Sequence, residues 1–435
     1  MGFTKKHLFL ITFFLTIFAR CFTWHTTTII PFTFIYVAFI VFWSFMLIFD
    51  NSKEIINFKR PAGFIIIMLF LYSVIWGLYN INDLDTTDTL NVMFRSILMI
   101  LFVFISSFWI KRLNCLHSAI CVGYFAFASL MILSFLLHIN EIDLKRTFLT
   151  YWESSESVRY RVLFGFGFNN IAAEYSMSTI LLSIYMIGHV SEKKPNRRLK
   201  IFIYLLIDLL MLIIILSNNS RGTLIALFVV LFFWLFTKIN KRTTLKVLFR
   251  RLLVVVGIAA VAGIVLLSYK NLTIINVLEK MNRTHFLDNI EAMRRGNKWL
   301  MGLGKISGAY FSERNVLYGV KLNYMEMYYV DVFVTSGIIG CIWSIVIIII
   351  IIQSILIQKR SKLSEWLLIA LGYMLFLSFF EGYLFSFSYI TSTFFLVILV
   401  SYISIKRPCF EKTKHYKIVK VVDGKEQITY AKRVS

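Results

Sequence analysis

The stretch "LSNNSRGTLIAL" at 216–227 sets an arginine where two long apolar runs turn back on each other. A turn this short joins antiparallel spans into a helical hairpin whose tip reaches the outer surface of a membrane. Ser220 is suited to cap the second helix, which puts Arg221 in that helix's first turn. A cation is unfavourable there, because the helix dipole is positive at its N-terminus. An anion held between the backbone N–H groups and the guanidinium reverses the sign, and Gly222 removes the side chain that would keep it away. Two readings follow: an anion site, phosphate foremost, or an arginine reaching to lipid headgroups.

A second constellation is "KLNYMEMYYVDVFVTSGIIG" at 321–340. Glu326 falls near the membrane interface, and Asp331 about 7.5 Å deeper at helical rise. That spacing turns the two carboxylates to different sides of a helix, which argues against a paired dyad. Each is suited to act as a general base or to hold a basic residue in place. Tyr324 and Tyr328 read as an interfacial belt or a sugar-stacking platform. A third constellation is "VRYRVLFGFGFNNIAAEYS" at 158–176. Arg159 and Arg161 fall at the outer end of a span over 162–188, which Gly165 and Gly167 loosen. Asn170 and Glu174 share a face of it, and a polar face on a membrane helix turns to the bundle interior.

Weaker signals exclude other chemistry. Asp83, Asp85 and Asp88 form a solvated acidic loop without histidine, not a metal site. "GLGKISG" at 302–308 lacks P-loop spacing. The five cysteines form no CxxC and no ligand pattern. No metal and no cofactor is therefore expected. Arg20, Arg95, Asp208 and Glu381 are further charges within spans.

The elements that position these groups are membrane helices. The 435 residues have a mean hydropathy of +0.75, and 58% are hydrophobic, above the level of soluble domains. Hydropathy predicts about twelve spans, each long enough to cross a bilayer. They run near 8–22, 29–49, 63–79, 90–110, 116–139, 162–188, 201–217, 222–237, 252–268, 327–352, 365–385 and 387–405. The fold class is all-α and polytopic. Leu8–Phe22, behind Lys5 and Lys6, reads as a retained signal anchor, since no small-residue cleavage site follows. Segments such as "SEKKPNRRLK" and "KINKRTTLKVLFRR" fall on one side, whereas "TWHTTT" and "NINDLDTTDT" on the other carry no Lys or Arg. The positive-inside rule then puts both termini in the cytoplasm. The same rule accounts for the net charge of +23 without nucleic acid. Residues 1–268 are the first nine helices with short loops. Residues 269–326 are one large outer loop, which its tryptophan, tyrosines and glycines suit to short helices and turns. Residues 327–405 are the last three helices, and 406–435 a basic cytoplasmic tail.

The "SRG" hairpin at 220–222, the long outer loop two spans later and the "TSGIIG" at 335–340 together resemble the bacterial O-antigen polymerase and O-antigen ligase superfamily. The motif likeness covers roughly residues 160 to 345, "GFGFNNIAA" included; elsewhere it is one of topology. The resemblance implies a glycosyltransferase of the inner membrane, using glycans carried on undecaprenyl diphosphate in lipopolysaccharide biosynthesis. It also implies that Arg221, with Ser220 and Gly222, holds the diphosphate together with loop arginines among Arg283, Arg294, Arg295 and Arg314. Arg294 and Arg295 are adjacent and would diverge on a helix, so at most one points at the diphosphate. Glu326 or Asp331 would orient or deprotonate the acceptor hydroxyl. Glu326 stands where the ligase branch carries a histidine, and this favours the polymerase branch, with a chain-length regulator as a further partner. The ligase reaction is the alternative within the superfamily. A lipid-linked oligosaccharide flippase or another transporter is the alternative of another class, and the long loop weighs against it.

Overall fold

The computed structural model describes residues 4–22, 33–49, 61–79, 86–150, 159–167, 170–190, 196–239, 243–251, 254, 286–304, 316–322, 327–358, 360–379, 384–385, 390–405, 415–422 and 425–432. Helices dominate them: α1 (Lys5–Cys21), α2 (Thr33–Phe49), α3 (Pro61–Leu78), α4 (Thr86–Arg112), α5 (Leu116–Leu137), α6 (Leu144–Leu149), α7 (Ile171–His189), α8 (Arg197–Ser217), α9 (Arg221–Ile239), α10 (Phe286–Arg295), α11 (Tyr328–Leu356), α12 (Lys362–Leu377) and α13 (Ile390–Ser404). Seven of the helices are long and apolar enough to cross a membrane, and two shorter apolar ones, 34–49 and 390–404, accompany them. The protein is thus a multi-pass helical membrane protein. The expected span at 252–268 lies almost entirely outside the described residues.

Two helices form the centre. In α13 every residue from Ile390 to Ile403 is buried, as an apolar-all-round helix must be. Nearly all of α7 is buried too, although it carries Glu174, Ser176, Ser178, Thr179 and Ser183. Some of its polar groups find partners nearby: the Thr179 hydroxyl donates to the Tyr175 carbonyl at 2.9 Å, and Ser183 Oγ to Asp208 Oδ2 at 2.6 Å. Around this centre pack α1, α4, α5, α8, α9 and α12. Outward-facing Phe45, Leu205, Phe228 and Ile345 are exposed, which suits a lipid-facing rim.

Between α9 and α11, the described parts of the long loop form a small unit with its own core. The helix α10 and the strands β1 (Val316–Leu317) and β2 (Val320–Lys321) bury Ala292, Met293, Leu303, Leu317, Val320 and Leu322 against Val334 of α11. The described part of the loop holds a short helix, turns and an antiparallel strand pair. The basic C-terminal segment contains a strand pair. Strands β3 (His415–Val422) and β4 (Lys425–Lys432) pair antiparallel, His415 opposite Lys432. Between them stand Asp423 and Gly424, a dipeptide favoured in two-residue hairpin turns.

Two expected helices are corrected. The span expected at 162–188 begins only at Ile171, because Phe164 and Gly165 adopt positive φ and the described residues 159–167 are not helical. Asn170 therefore precedes the helix instead of sharing its face with Glu174; its carbonyl accepts the Glu174 N–H at 3.0 Å. The span expected at 327–352 is broken at Gly337, whose φ of 63° and ψ of −161° are not helical.

Candidate functional site

The α8–α9 hairpin forms as its sequence predicts. The Asn218 N–H closes α8 on the Ile214 carbonyl at 2.8 Å, Asn219 takes φ 55°, and α9 opens at Arg221. A left-handed backbone here suits asparagine, whose short polar side chain tolerates it. Ser220 sits at the cap: its carbonyl accepts the Leu224 N–H at 3.1 Å, and its hydroxyl lies 2.9 Å from that of Thr223. Arg221, half-buried, begins a helix with no acidic residue in its first turn.

Ser217, Asn218, Asn219 and Ser220 are buried. The cover is the chain carrying Arg159 and Arg161. The Val162 N–H donates to the Ser217 carbonyl at 3.0 Å. In return Asn218 Nδ2 donates to the Val162 carbonyl at 3.0 Å, and Asn219 Nδ2 to the Tyr160 carbonyl at 3.3 Å. Tyr160 is fixed from behind. Its N–H donates to Thr150 Oγ1 at 3.0 Å, its hydroxyl donates to the Glu141 carbonyl, and Arg146 lies 4.7 Å above its ring. Arg159 and Arg161, both half-buried, thus flank a residue pinned to the turn that ends in Arg221. Two sequence constellations, 58 residues apart between Arg221 and Leu163, meet at one end of the bundle. Nothing in their spacing announced it. The one available signal was the Asn218–Asn219 pair, two amides within an apolar region that needs backbone partners.

Glu174, fully buried, stands one turn into α7, with Tyr175 beside it. Tyr175 stacks edge-on against Phe166, ring centroids 5.5 Å apart. Tyr175 and Tyr36 also lie within electrostatic reach of Arg20, as does Arg95. Arg20 of α1, with Arg95 of α4 within its electrostatic reach, therefore lies in the part of the bundle near the start of α7.

Asp331 occupies the first turn of α11, within electrostatic reach of the Tyr72 and Tyr328 hydroxyls. Its carbonyl accepts from Thr335 Oγ1 at 2.6 Å. Tyr328 is buried, its hydroxyl 3.4 Å from Ser344 Oγ, and not part of an interfacial belt. The helix α12 links this region to the hairpin: the Ser378 carbonyl just beyond its end accepts the Tyr328 N–H at 3.1 Å, and its length packs on α9.

Arg294 and Arg295 belong to the small loop unit, on α10. Both grip Glu291: Arg294 through Nε and Nη2 at 2.7 and 2.8 Å, Arg295 through Nε at 2.9 Å. These bonds hold the Glu291 carboxyl down at about 2. The two guanidiniums converge on one carboxylate instead of diverging. Helical angles describe Cβ directions, and long side chains at i+3 and i+4 can still reach back to one partner. Glu326, Arg283 and Arg314 lie outside the described residues, as do Asp83, Asp85 and Glu381. No three of His, Cys, Asp and Glu converge as a metal site among the described residues.

The chain matches no protein-family model and no curated protein.

Proposed function

We propose that this chain is a surface-polysaccharide polymerase of the bacterial inner membrane, with both termini in the cytoplasm. It transfers a growing glycan from undecaprenyl diphosphate onto a lipid-linked repeat unit at the periplasmic face. One observation carries the reading: the segment bearing Arg159 and Arg161 is hydrogen-bonded onto the turn that presents Arg221 at a helix N-terminus. Three guanidiniums and a helix dipole suit a doubly phosphorylated leaving group. Buried amide groups beside them suit a sugar; among the described residues the Asn218 and Asn219 side-chain carbonyls accept no hydrogen bond.

In the reaction the acceptor's sugar hydroxyl attacks the anomeric carbon of the donor. The new glycosidic bond forms as the anomeric carbon–oxygen bond to phosphate breaks, and the diphosphate leaves with the electron pair. Arg221, Arg159 and Arg161 stabilise its charge as it develops. Glu326 or Asp331 takes the hydroxyl proton. Asn170 and Glu174, at the start of α7, would bind the sugar.

The test is Arg221→Ala and Glu326→Ala in a deletion strain, read as surface polysaccharide banding at equal protein level. Loss of the ladder with a single repeat unit still attached to the lipid A core supports polymerisation. Complete loss of capped core indicates ligation instead, and an unchanged ladder in both variants refutes the mechanism.

A further inference from the structure

At the end of the bundle away from the hairpin, α5 and α7 pack antiparallel and bring three metal-ligating side chains, His117, Cys121 and Met186, together. His117 and Cys121 stand one turn apart on α5; Met186 and His189 stand three residues apart on α7. Cys121 Sγ lies 3.7 Å from His117 Nε2 and 3.5 Å from Met186 Sδ. Donor atoms sharing one metal ion sit at such separations, given metal–sulfur bonds of about 2.3 Å and metal–nitrogen bonds of about 2.0 Å.

Both imidazoles are oriented by their other nitrogen. His117 Nδ1 lies 2.8 Å from the Tyr185 hydroxyl. His189 Nδ1 lies 2.9 Å from the Tyr185 carbonyl. The His189 ring centroid is 5.5 Å from that of His117. Fixing one ring nitrogen with a neighbouring group is how proteins set metal-binding histidines. The site is open to solution, since His117 and His189 are exposed and Cys121 is half-buried.

We propose that His117, Cys121 and Met186 form a copper(I) site joining α5 to α7. The donor set selects the metal. Thiolate and thioether favour a soft monovalent ion over zinc, and no carboxylate belongs to the set to favour magnesium or calcium. Binding releases the thiol proton to solvent and leaves the copper oxidation state unchanged. The inference is independent of the polymerase reading.

The test uses the full-length protein in detergent, reduced and free of oxygen, with copper(I) offered against the chelator bathocuproine disulfonate. One equivalent retained, with sulfur scattering in the copper X-ray absorption spectrum, is the expected result. Cys121→Ser should abolish retention and Met186→Leu weaken it, whereas Cys115→Ser should leave it intact. Tyr185→Phe should weaken it by about 10–100-fold, the usual effect of losing a group that orients a ligand. Melting of each variant without metal separates lost binding from lost fold, and Met186→Leu, close in volume, decides if Cys121→Ser melts early. Failure to retain copper, retention unaffected by Cys121→Ser, or equal retention of zinc with Met186→Leu silent would overturn the assignment.

Discussion

Gly302 and Gly337 approach so closely that neither tolerates a side chain. A Cβ built on Gly302 would lie 2.6 Å from the Gly337 nitrogen, and one on Gly337 would lie 2.6 Å from the Gly302 nitrogen. Both have positive φ, 75° and 63°. Here the small loop unit enters the break in α11. The Leu303 and Gly304 N–H groups donate to the Val334 and Thr335 carbonyls at 2.8 and 2.9 Å. The Ile338 and Ile339 N–H groups donate to the Trp299 and Leu300 carbonyls at 3.0 and 3.1 Å. Backbone groups that a broken helix would leave unpaired are thereby satisfied from the loop. From α3, Tyr72 Oη meets Ser336 Oγ at 2.6 Å and Trp76 Nε1 donates to the Met301 carbonyl at 3.0 Å. The loop is therefore keyed into the membrane domain by backbone, not draped over it.

Gly302→Ala should undo that key. Alanine at positive φ costs about 1–2 kcal/mol, and the collision with α11 backbone adds to it. The expected outcome is a protein whose bundle still assembles but whose 296–304 segment is cleaved early in limited proteolysis. Polysaccharide synthesis should fall at normal protein level. A variant with wild-type cleavage and wild-type polymer would show that the close approach contributes nothing.

The asparagine pair offers a graded experiment. Asn218→Ala removes the donor to Val162 and strands a buried carbonyl, at a cost of about 1–3 kcal/mol. Asn219→Gly keeps the left-handed backbone and loses only the amide bond to Tyr160, whereas Asn219→Ala loses both. Melting temperatures in detergent should fall least for Asn219→Gly, more for Asn219→Ala. Polymer length should follow the same order, since each change loosens Arg159 and Arg161 from Arg221. Equal melting for the two Asn219 variants would mean that its backbone conformation carries no strain.

These partners explain what was legible. Hydropathy located α3, α4, α5, α8 and α9 to within a few residues, because each is a long apolar run bounded by polar residues. The "SRG" turn was visible for the same reason. Hydropathy failed at 162–170, where Val162, Phe164 and Phe166 are apolar because they are buried by tertiary contact, not because they lie in a helix. It extended the span accordingly. The glycine of "TSGIIG" was readable as a special position, yet what breaks α11 there is a segment 35 residues earlier, Gly302 facing Gly337. No local pattern encodes that docking. Charge geometry was equally hidden: Glu291 claims both Arg294 and Arg295, a choice among neighbours that residue spacing permits but does not dictate.

Glu291 predicts a titration. Its carboxyl is held at about 2 against an ordinary 4.5, by hydrogen bonds from Arg294 and then Arg295. A lowered carboxylate stabilises the folded unit fully above the ordinary range; the contribution fades as pH falls below 4.5 and is gone below about 2. Carboxyl carbon NMR of Glu-labelled protein should place the Glu291 midpoint well below the other glutamates. Arg294→Gln with Arg295→Gln should return it toward 4.5. High salt should shift it upward as well, because the pair is exposed. A midpoint near 4.5 in the unmodified protein would remove the clasp.

Arg360 makes the strongest stability prediction, at the end of the bundle opposite the hairpin. Its Nε lies 2.6 Å from Glu365 Oε1 on α12, and the pair is only 14% and 21% exposed. Its Nη2 donates to the Thr237 carbonyl on α9 at 3.1 Å, and its Nη1 to the Thr243 carbonyl beyond it. One planar fork thus ties α9, the 243–251 segment and α12. Arg360→Ala leaves a carboxylate and two carbonyls without their donor, and should destabilise by about 3 kcal/mol, the low end for breaking a buried pair. Arg360→Lys keeps the charge but cannot reach all three acceptors, so it should recover less than half of that loss. Glu365→Gln in the Arg360→Ala background should cost little, because the partner is already gone. Unfolding of the four proteins in detergent closes the cycle. Additive losses would show that the two side chains do not act as a pair.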